Sequence, residues 1–208
     1  MEFVLKSAEF LTSAGSPKGY PPPGPPEVAF AGRSNVGKSS LINCLVGQKK
    51  LVRVSSRPGR TQLINFFALN GGELCLVDLP GYGFAKVPPA VKASWRRMVE
   101  SYLDGRETLR AVVVILDVRR EPNNEDLMLL NYLNSLGVPA IVALTKSDKL
   151  SNNQLAARRR VLGPLLAAYD ARPVVCSATT RLGRDELWRR VLAAAAAGAP
   201  EHDAPPPA

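Results

Sequence analysis

The chain has 208 residues, 46% of them hydrophobic, which suits one domain with a proper core and leaves little for a second. Its 27 Lys+Arg against 18 Asp+Glu give a formal charge of +9 and a pI near 9.8, a surface that attracts polyanions, nucleic acid or an acidic membrane. Three cysteines without C-x-x-C spacing, no apolar run approaching about 18 residues and no basic-then-apolar N-terminus exclude a disulfide scaffold, a zinc cluster, a membrane span and a signal peptide, so a soluble, cytoplasmic protein is expected.

Residues 1–26 hold two short apolar patches, at 3–5 and 10–11, and the run Tyr20-Pro-Pro-Pro-Gly-Pro-Pro26. Its prolines forbid helix and predict a stiff extended connector. The apolar run 28–31 then predicts the first core strand. It delivers Gly32, Arg33, Ser34, Asn35, Val36, Gly37, Lys38 and Ser39 in the pattern G-x-x-x-x-G-K-S, and Ser40 opens a helix over 40–46 closed by Gly47. This is a phosphate-binding loop in its expected setting. Glycines at 32 and 37 let successive N–H groups point into one concavity, and the helix adds its positive end. Lys38 suits the β- and γ-phosphates; the Ser39 hydroxyl is a hard oxygen ligand for Mg²⁺.

Residues 48–62 are polar, basic and broken by Pro58 and Gly59, the pattern of a mobile loop. Thr61, beside Arg60, offers a second hydroxyl to Mg²⁺, or is a plain loop residue. Strands are predicted at 63–69 and 74–77, joined by Asn70-Gly71-Gly72 as a hairpin. The second ends in Asp78, Leu79, Pro80 and Gly81: a carboxylate placed to hold Mg²⁺ through water, then an N–H for the γ-phosphate.

A helix over 87–103 carries the stripe Trp95, Val99 and Tyr102, with Arg96 and Arg97 outside it. The β-branched run 111–116 predicts a strand buried on both faces, and 123–136 a helix stopped by Gly137 and Pro139. Another buried strand, 140–144, delivers Thr145, Lys146, Ser147 and Asp148. A carboxylate there accepts from both N1–H and the 2-amino group of guanine, which adenine does not offer, while Lys146 lies along the base. A helix over 152–170, a strand over 173–176 ending in Cys176, the pair Ser177 and Ala178 with backbone N–H groups for guanine O6, and a helix over 184–197 complete the alternation. Residues 198–208, with His202, read as a disordered tail of no assigned role.

In this order the motifs resemble the translation-factor-like class of P-loop GTPases. Four phrases narrow the resemblance to the EngB family: Gly32-Arg-Ser-Asn-Val-Gly-Lys-Ser-Ser-Leu-Ile-Asn43, Pro58-Gly-Arg-Thr-Gln-x-x-Asn-Phe-Phe67, Val77-Asp-Leu-Pro-Gly-Tyr-Gly-Phe-Ala-Lys86 and Thr145-Lys-Ser-Asp-Lys149. The resemblance covers residues 27–195. It implies a three-layer α/β domain over 27–197, a mostly parallel sheet with helices on both faces. It also implies a bacterial, monomeric GTPase that binds the large ribosomal subunit in the GTP state, assists its assembly, supports cell division and has no membrane partner. On this reading residues 32–39 and Gly81 bind phosphate, Ser39 and Thr61 bind Mg²⁺ with Asp78 in its outer shell, and Lys146, Asp148, Ser177 and Ala178 bind the base. Thr145 stands where GTPases generally carry Asn.

Tyr82 occupies the place of the glutamine that orients water in Ras-like proteins, so slow turnover resting on Lys38, Thr61 and Gly81 is expected, with Tyr82 either at the reaction or packed as a loop aromatic. Asn35, also a good turn residue, is a candidate ligand for K⁺, whose charge would replace an arginine finger. Arg119-Arg120, Arg57/Arg60 and Arg158 to Arg160 are candidates for RNA phosphate contacts. Rival readings are a module that uses nucleotide only as a structural ligand, a membrane-linked signalling GTPase, and an ATPase.

Overall fold

The computed structural model describes residues 4–52, 63–83, 89–169 and 172–198. Among them a sheet of seven strands runs in the order β1-β3-β4-β2-β5-β6-β7. The strands are β1 (Ala8–Ala14), β2 (Glu27–Gly32), β3 (Ile64–Leu69), β4 (Leu74–Asp78), β5 (Leu109–Asp117), β6 (Ala140–Thr145) and β7 (Val174–Val175). Neighbours from β4 to β7 pair in parallel; β3 is antiparallel to both β1 and β4. Parallel strands need crossovers, and the helices α1 (Lys38–Val46), α2 (Pro89–Gly105), α3 (Asn124–Ser135), α4 (Asn152–Ala167) and α5 (Arg184–Ala196) supply them or close the chain.

Alternation along β5 sets the two faces. Val112, Val114 and Leu116 pack with Tyr102 and Leu103 of α2, Leu130 and Leu133 of α3, and Leu162 and Leu166 of α4. Ala111, Val113 and Ile115 face the other way, onto Leu41, Ile42 and Leu45 of α1 and Leu187 and Val191 of α5. The result is the expected three-layer α/β arrangement, with buried strands that read as continuous apolar runs.

Local chemistry fixes the helix ends. Asn123 accepts from the Asp126 N–H while Asp126 accepts from the Asn123 N–H, a reciprocal cap; Ser151 and Gln154 do the same for α4. Gly47 closes α1 in the left-handed conformation, and Arg184 donates to the Cys44 and Leu45 carbonyls left over at that end.

The extended N-terminal stretch is a strand of the sheet. Its pairing with β3 slips between Phe10 and Thr12, a bulge at the sheet edge. The connector is bound to the core: Tyr20 packs on Phe66 and Tyr102 at centroid distances of 5.5 and 5.7 Å, and Arg106 donates to the Pro21 carbonyl at 3.0 Å. Arg106 also grips Glu27, 1% exposed at the start of β2, with bonds of 2.5 to 3.0 Å, and the Tyr102 hydroxyl donates to the same carboxylate at 2.9 Å. Helix α2 is described from Pro89, and α4 ends at Ala167 rather than 170. Of the tail, residues 199–208 lie outside the described residues.

Candidate functional site

Three loops meet at the carboxyl end of the parallel strands. The first leaves β2 at Gly32, where a Cβ would stand 2.9 Å from the Ile115 carbonyl oxygen and from Val36 Cγ1. It turns through Asn35 at φ 61° and Gly37 at φ 106°, the residue that caps α1. Val36 is buried and anchors the turn; Arg33, Ser34, Gly37, Lys38 and Ser39 are half-buried along its rim, and Asn35 and Ser40 are exposed. The cradle therefore has backbone at its floor and the helix N-terminus at its back, the arrangement that suits a phosphate chain.

The second loop leaves β4 at Asp78. Leu79, 1% exposed, sends its N–H to the Phe30 carbonyl at 3.0 Å, and Pro80 is buried beside it. The Tyr82 carbonyl accepts from Ser34 N–H at 2.8 Å and the Tyr82 N–H donates to Gly32 at 3.3 Å, so this loop is laced onto the first. Between them there is no room for a side chain: a Cβ on Gly81 would lie 3.2 Å from Ser34 N. Lys38 Nζ forms an ion pair with Asp78 Oδ1, the two side chains 10% and 8% exposed, and Asn65 reaches Asp78 Oδ2 at 3.5 Å.

Tyr82 is turned away from the phosphate loop. Its hydroxyl donates to Asp126 Oδ1 at 2.8 Å, its ring packs on Trp95 at 5.9 Å, and it is 8% exposed. Burial, reinforced by the Asp126 carboxylate, pushes the phenol well above its ordinary range. Of the two readings of Tyr82, the geometry places it as a packed aromatic.

The third loop forms the base corner. Thr145, 3% exposed, donates its hydroxyl toward the Val36 and Leu116 carbonyls at 2.7 and 3.1 Å, so it fastens the first loop to β5 instead of facing a ligand. Lys146, left-handed at φ 62°, sends Nζ to the Asn35 carbonyl at 2.7 Å. Ser147 is buried and both its N–H and hydroxyl go to the Cys176 carbonyl, at 3.3 and 2.9 Å. Asp148 accepts from the Ser177 hydroxyl at 2.8 Å and lies 3.3 Å from Lys149 Nζ. The Ser177 bond, then Lys149, lowers the Asp148 carboxyl below its usual range, which keeps it an acceptor.

Several expectations need correction in detail. The Ser177 N–H is committed to the Leu182 carbonyl at 3.0 Å, so this residue orients Asp148 and leaves the half-buried Ala178 to offer a backbone N–H. Arg119 chelates Asp117 through Nε and Nη2 at 2.9 and 2.7 Å, and Arg158 donates to the Val118 carbonyl at 2.9 Å. Arg120, Arg159 and Arg160 are exposed. Arg57, Pro58, Gly59, Arg60, Thr61 and Lys86 lie outside the described residues.

Asp117 and Asp126 were missed by motif reading. Asp117 carried one usable signal, an acidic residue at the carboxyl end of a buried strand, as Asp78 is; Asp126 carried only its cap spacing.

A glycine cradle ahead of a helix, a lysine paired with a strand-end carboxylate, and a carboxylate held at a base corner define a P-loop GTPase domain. The profile described as "50S ribosome-binding GTPase" matches residues 27–146. The chain is 55% identical over 197 residues to the "Probable GTP-binding protein EngB" of Geobacter metallireducens, covering 95% of this chain and 96% of that one. Its counterpart in Geobacter sulfurreducens is 53% identical over 194 residues, 93% and 94% covered. The crystal structure of a "probable GTP-binding protein engB" aligns at TM-score 0.64 with 27% identity, over 81% of this chain and 98% of that one. Aquifex aeolicus Era aligns at 0.67 with 24% identity, over 86% and 62%, and shares the fold. The chain belongs to the EngB family of GTP-binding proteins, a GTPase family.

Proposed function

We propose that this chain is a slow GTPase that binds the large ribosomal subunit when loaded with GTP and assists its assembly, working as a monomer in the cytoplasm. The observation that carries the ribosomal part is the profile match over 27–146, whose description names 50S binding; the charge of +9 accords with an RNA-rich partner. Among the described residues no helix is long and apolar enough to cross a membrane.

The site supports the nucleotide reading residue by residue. Residues 32–39 and the Gly81 N–H would hold phosphates, with Lys38 reaching the β- and γ-oxygens by exchanging or sharing its contact with Asp78. Asp148 would read the guanine edge, Lys146 its face and Ala178 its O6. Among the described residues no cluster of three or more His, Cys, Asp or Glu could hold a metal by itself. The Ser39 hydroxyl and the Asp78 carboxylate are hard oxygen donors that suit Mg²⁺, which keeps waters and shares phosphate oxygens; Ser39, Thr61 and, through water, Asp78 would be its protein ligands. When bound, Mg²⁺ neutralises charge developing on the transferred phosphoryl group.

Catalysis on this reading is positioning and electrostatics from Lys38, Thr61 and Gly81. Tyr82, committed to Asp126, orients no water, which accords with slow turnover. Asn35, exposed in the phosphate loop, would hold K⁺ through its side chain; equal hydrolysis in K⁺ and Na⁺ buffers, unchanged in Asn35→Ala, removes that role. The central test is sedimentation with purified large and small subunits. Co-sedimentation with the large subunit under a non-hydrolysable GTP analogue and not under GDP is expected; equal behaviour with both nucleotides, or with both subunits, overturns the proposal.

A further inference from the structure

Lys146 is held along its whole length. Its backbone is left-handed at φ 62°, its Cε passes 3.9 Å from where a Cβ on Gly37 would stand, and its Nζ sits between the Asn35 carbonyl at 2.7 Å and Asp117 Oδ2 at 3.1 Å. Asp117 closes β5 directly opposite Thr145 of β6, so the sheet register itself delivers its carboxylate to the root of the base corner. That carboxylate is 8% exposed. Arg119 also holds it, with Nη2 on the same Oδ2 and with Nε and its own N–H, at 2.9 and 3.1 Å, on Oδ1.

We propose that Asp117 is a positioning residue for base recognition: it fixes the Lys146 ammonium so that the methylene stem lies flat across the base plane, and Arg119 holds Asp117 in place. The inference rests on the proposed reading that Lys146 faces guanine. A free lysine side chain loses rotamer entropy when it is ordered on a ligand, and a lysine already held loses less. The Asn35 carbonyl is a neutral acceptor at one point, whereas the Asp117 carboxylate adds an ion pair whose locked position sets the direction of the stem. Asp117 acts through the lysine ammonium it pairs with, so its effect belongs to nucleotide affinity and not to the hydrolytic step.

The test is a double-mutant cycle by calorimetry, comparing wild type, Asp117→Asn, Lys146→Ala and the double variant, each titrated with GDP and with inosine diphosphate. Asp117→Asn is expected to weaken both ligands by the same factor, about three- to tenfold for one unordered side chain, because stacking does not sense the 2-amino group. In the Lys146→Ala background the same change should cost less than about twofold. Arg119→Lys, which cannot chelate, should give a smaller loss with the same dependence on Lys146. An equal loss in both backgrounds, no loss at all, or a loss confined to GDP overturns the inference. Failure of wild type to take up GDP while taking up adenylates overturns the base-corner reading itself and this inference with it.

Discussion

Tyr82→Phe removes one oxygen and leaves the ring against Trp95. The lost hydroxyl is the donor to Asp126 Oδ1 at 2.8 Å, in a pocket where Tyr82 is 8% and Asp126 2% exposed. The other oxygen, Oδ2, still accepts the Asn123 N–H at 2.9 Å, so the cap of α3 persists while Oδ1 is left buried without its donor. Orphaning a charged acceptor costs roughly 2–3 kcal/mol. For a domain of this size that corresponds to a fall of roughly 4–12 °C in the unfolding midpoint. GTP turnover at saturating substrate should stay within about twofold of wild type, because the phenol is committed to α3. There is also an alkaline signature. The phenol is raised above its ordinary 10, so its contribution is fully present below pH 10 and lost as pH climbs toward the folded-state value. Circular dichroism melts should show the wild-type advantage over the variant constant from pH 8 to about 10 and shrinking only above that. An unchanged midpoint together with a tenfold loss of hydrolysis would refute this reasoning and return the hydroxyl to the phosphates.

Arg106→Ala should destabilise the fold by roughly 3–5 kcal/mol by stranding the buried Glu27 carboxylate, visible in denaturant unfolding, while GDP affinity of the folded fraction is retained. Asp148→Asn should lose guanosine nucleotides and gain xanthosine ones, measured by competition binding; uniform loss of both would count against the base assignment. Burial alone would raise the Asp117 carboxyl, but Arg119 and Lys146 outweigh it and pull it from 3.8 to about 2. Its contribution is therefore present above about pH 4 and lost between about pH 4 and 2, roughly 1–2 kcal/mol after discounting the exposed Arg119 head. Asp117→Asn should flatten that part of the acid limb.

Much of the site was legible because its chemistry is local. A phosphate cradle needs its glycines, lysine and serine within one turn, and a strand-end carboxylate needs only a strand before it. Strand β1 was harder for a physical reason. Its bulge near Phe10 and Thr12 breaks the two-residue period, so Phe10 and Leu11 are exposed side by side at 55% and 48% and read as a patch without a face. Partnerships across the chain left no local trace: Tyr82 meets Asp126 at a separation of 44 residues and Arg106 meets Glu27 at 79. The bonds made by members of the arginine runs were equally invisible. A run of charge looks like a solvated face until a carboxylate such as Asp117, or a carbonyl such as that of Val118, claims one member of it.

Those long-range bonds also settle how the two phosphate-side loops must move. Tyr82 is joined to the first loop through its backbone, at Gly32 and Ser34, and to α3 through its side chain, at Asp126. Gly81 sits one residue earlier, where a Cβ would stand 3.2 Å from Ser34 N, so the two loops pass closely there. Packed interiors respond to small shifts by switching partners and not by stretching. A displacement of Gly81 toward or away from a terminal phosphate must therefore either break the Tyr82 bonds or carry the first turn of α3 along with it, and the capping box at Asn123 makes that turn move as one piece.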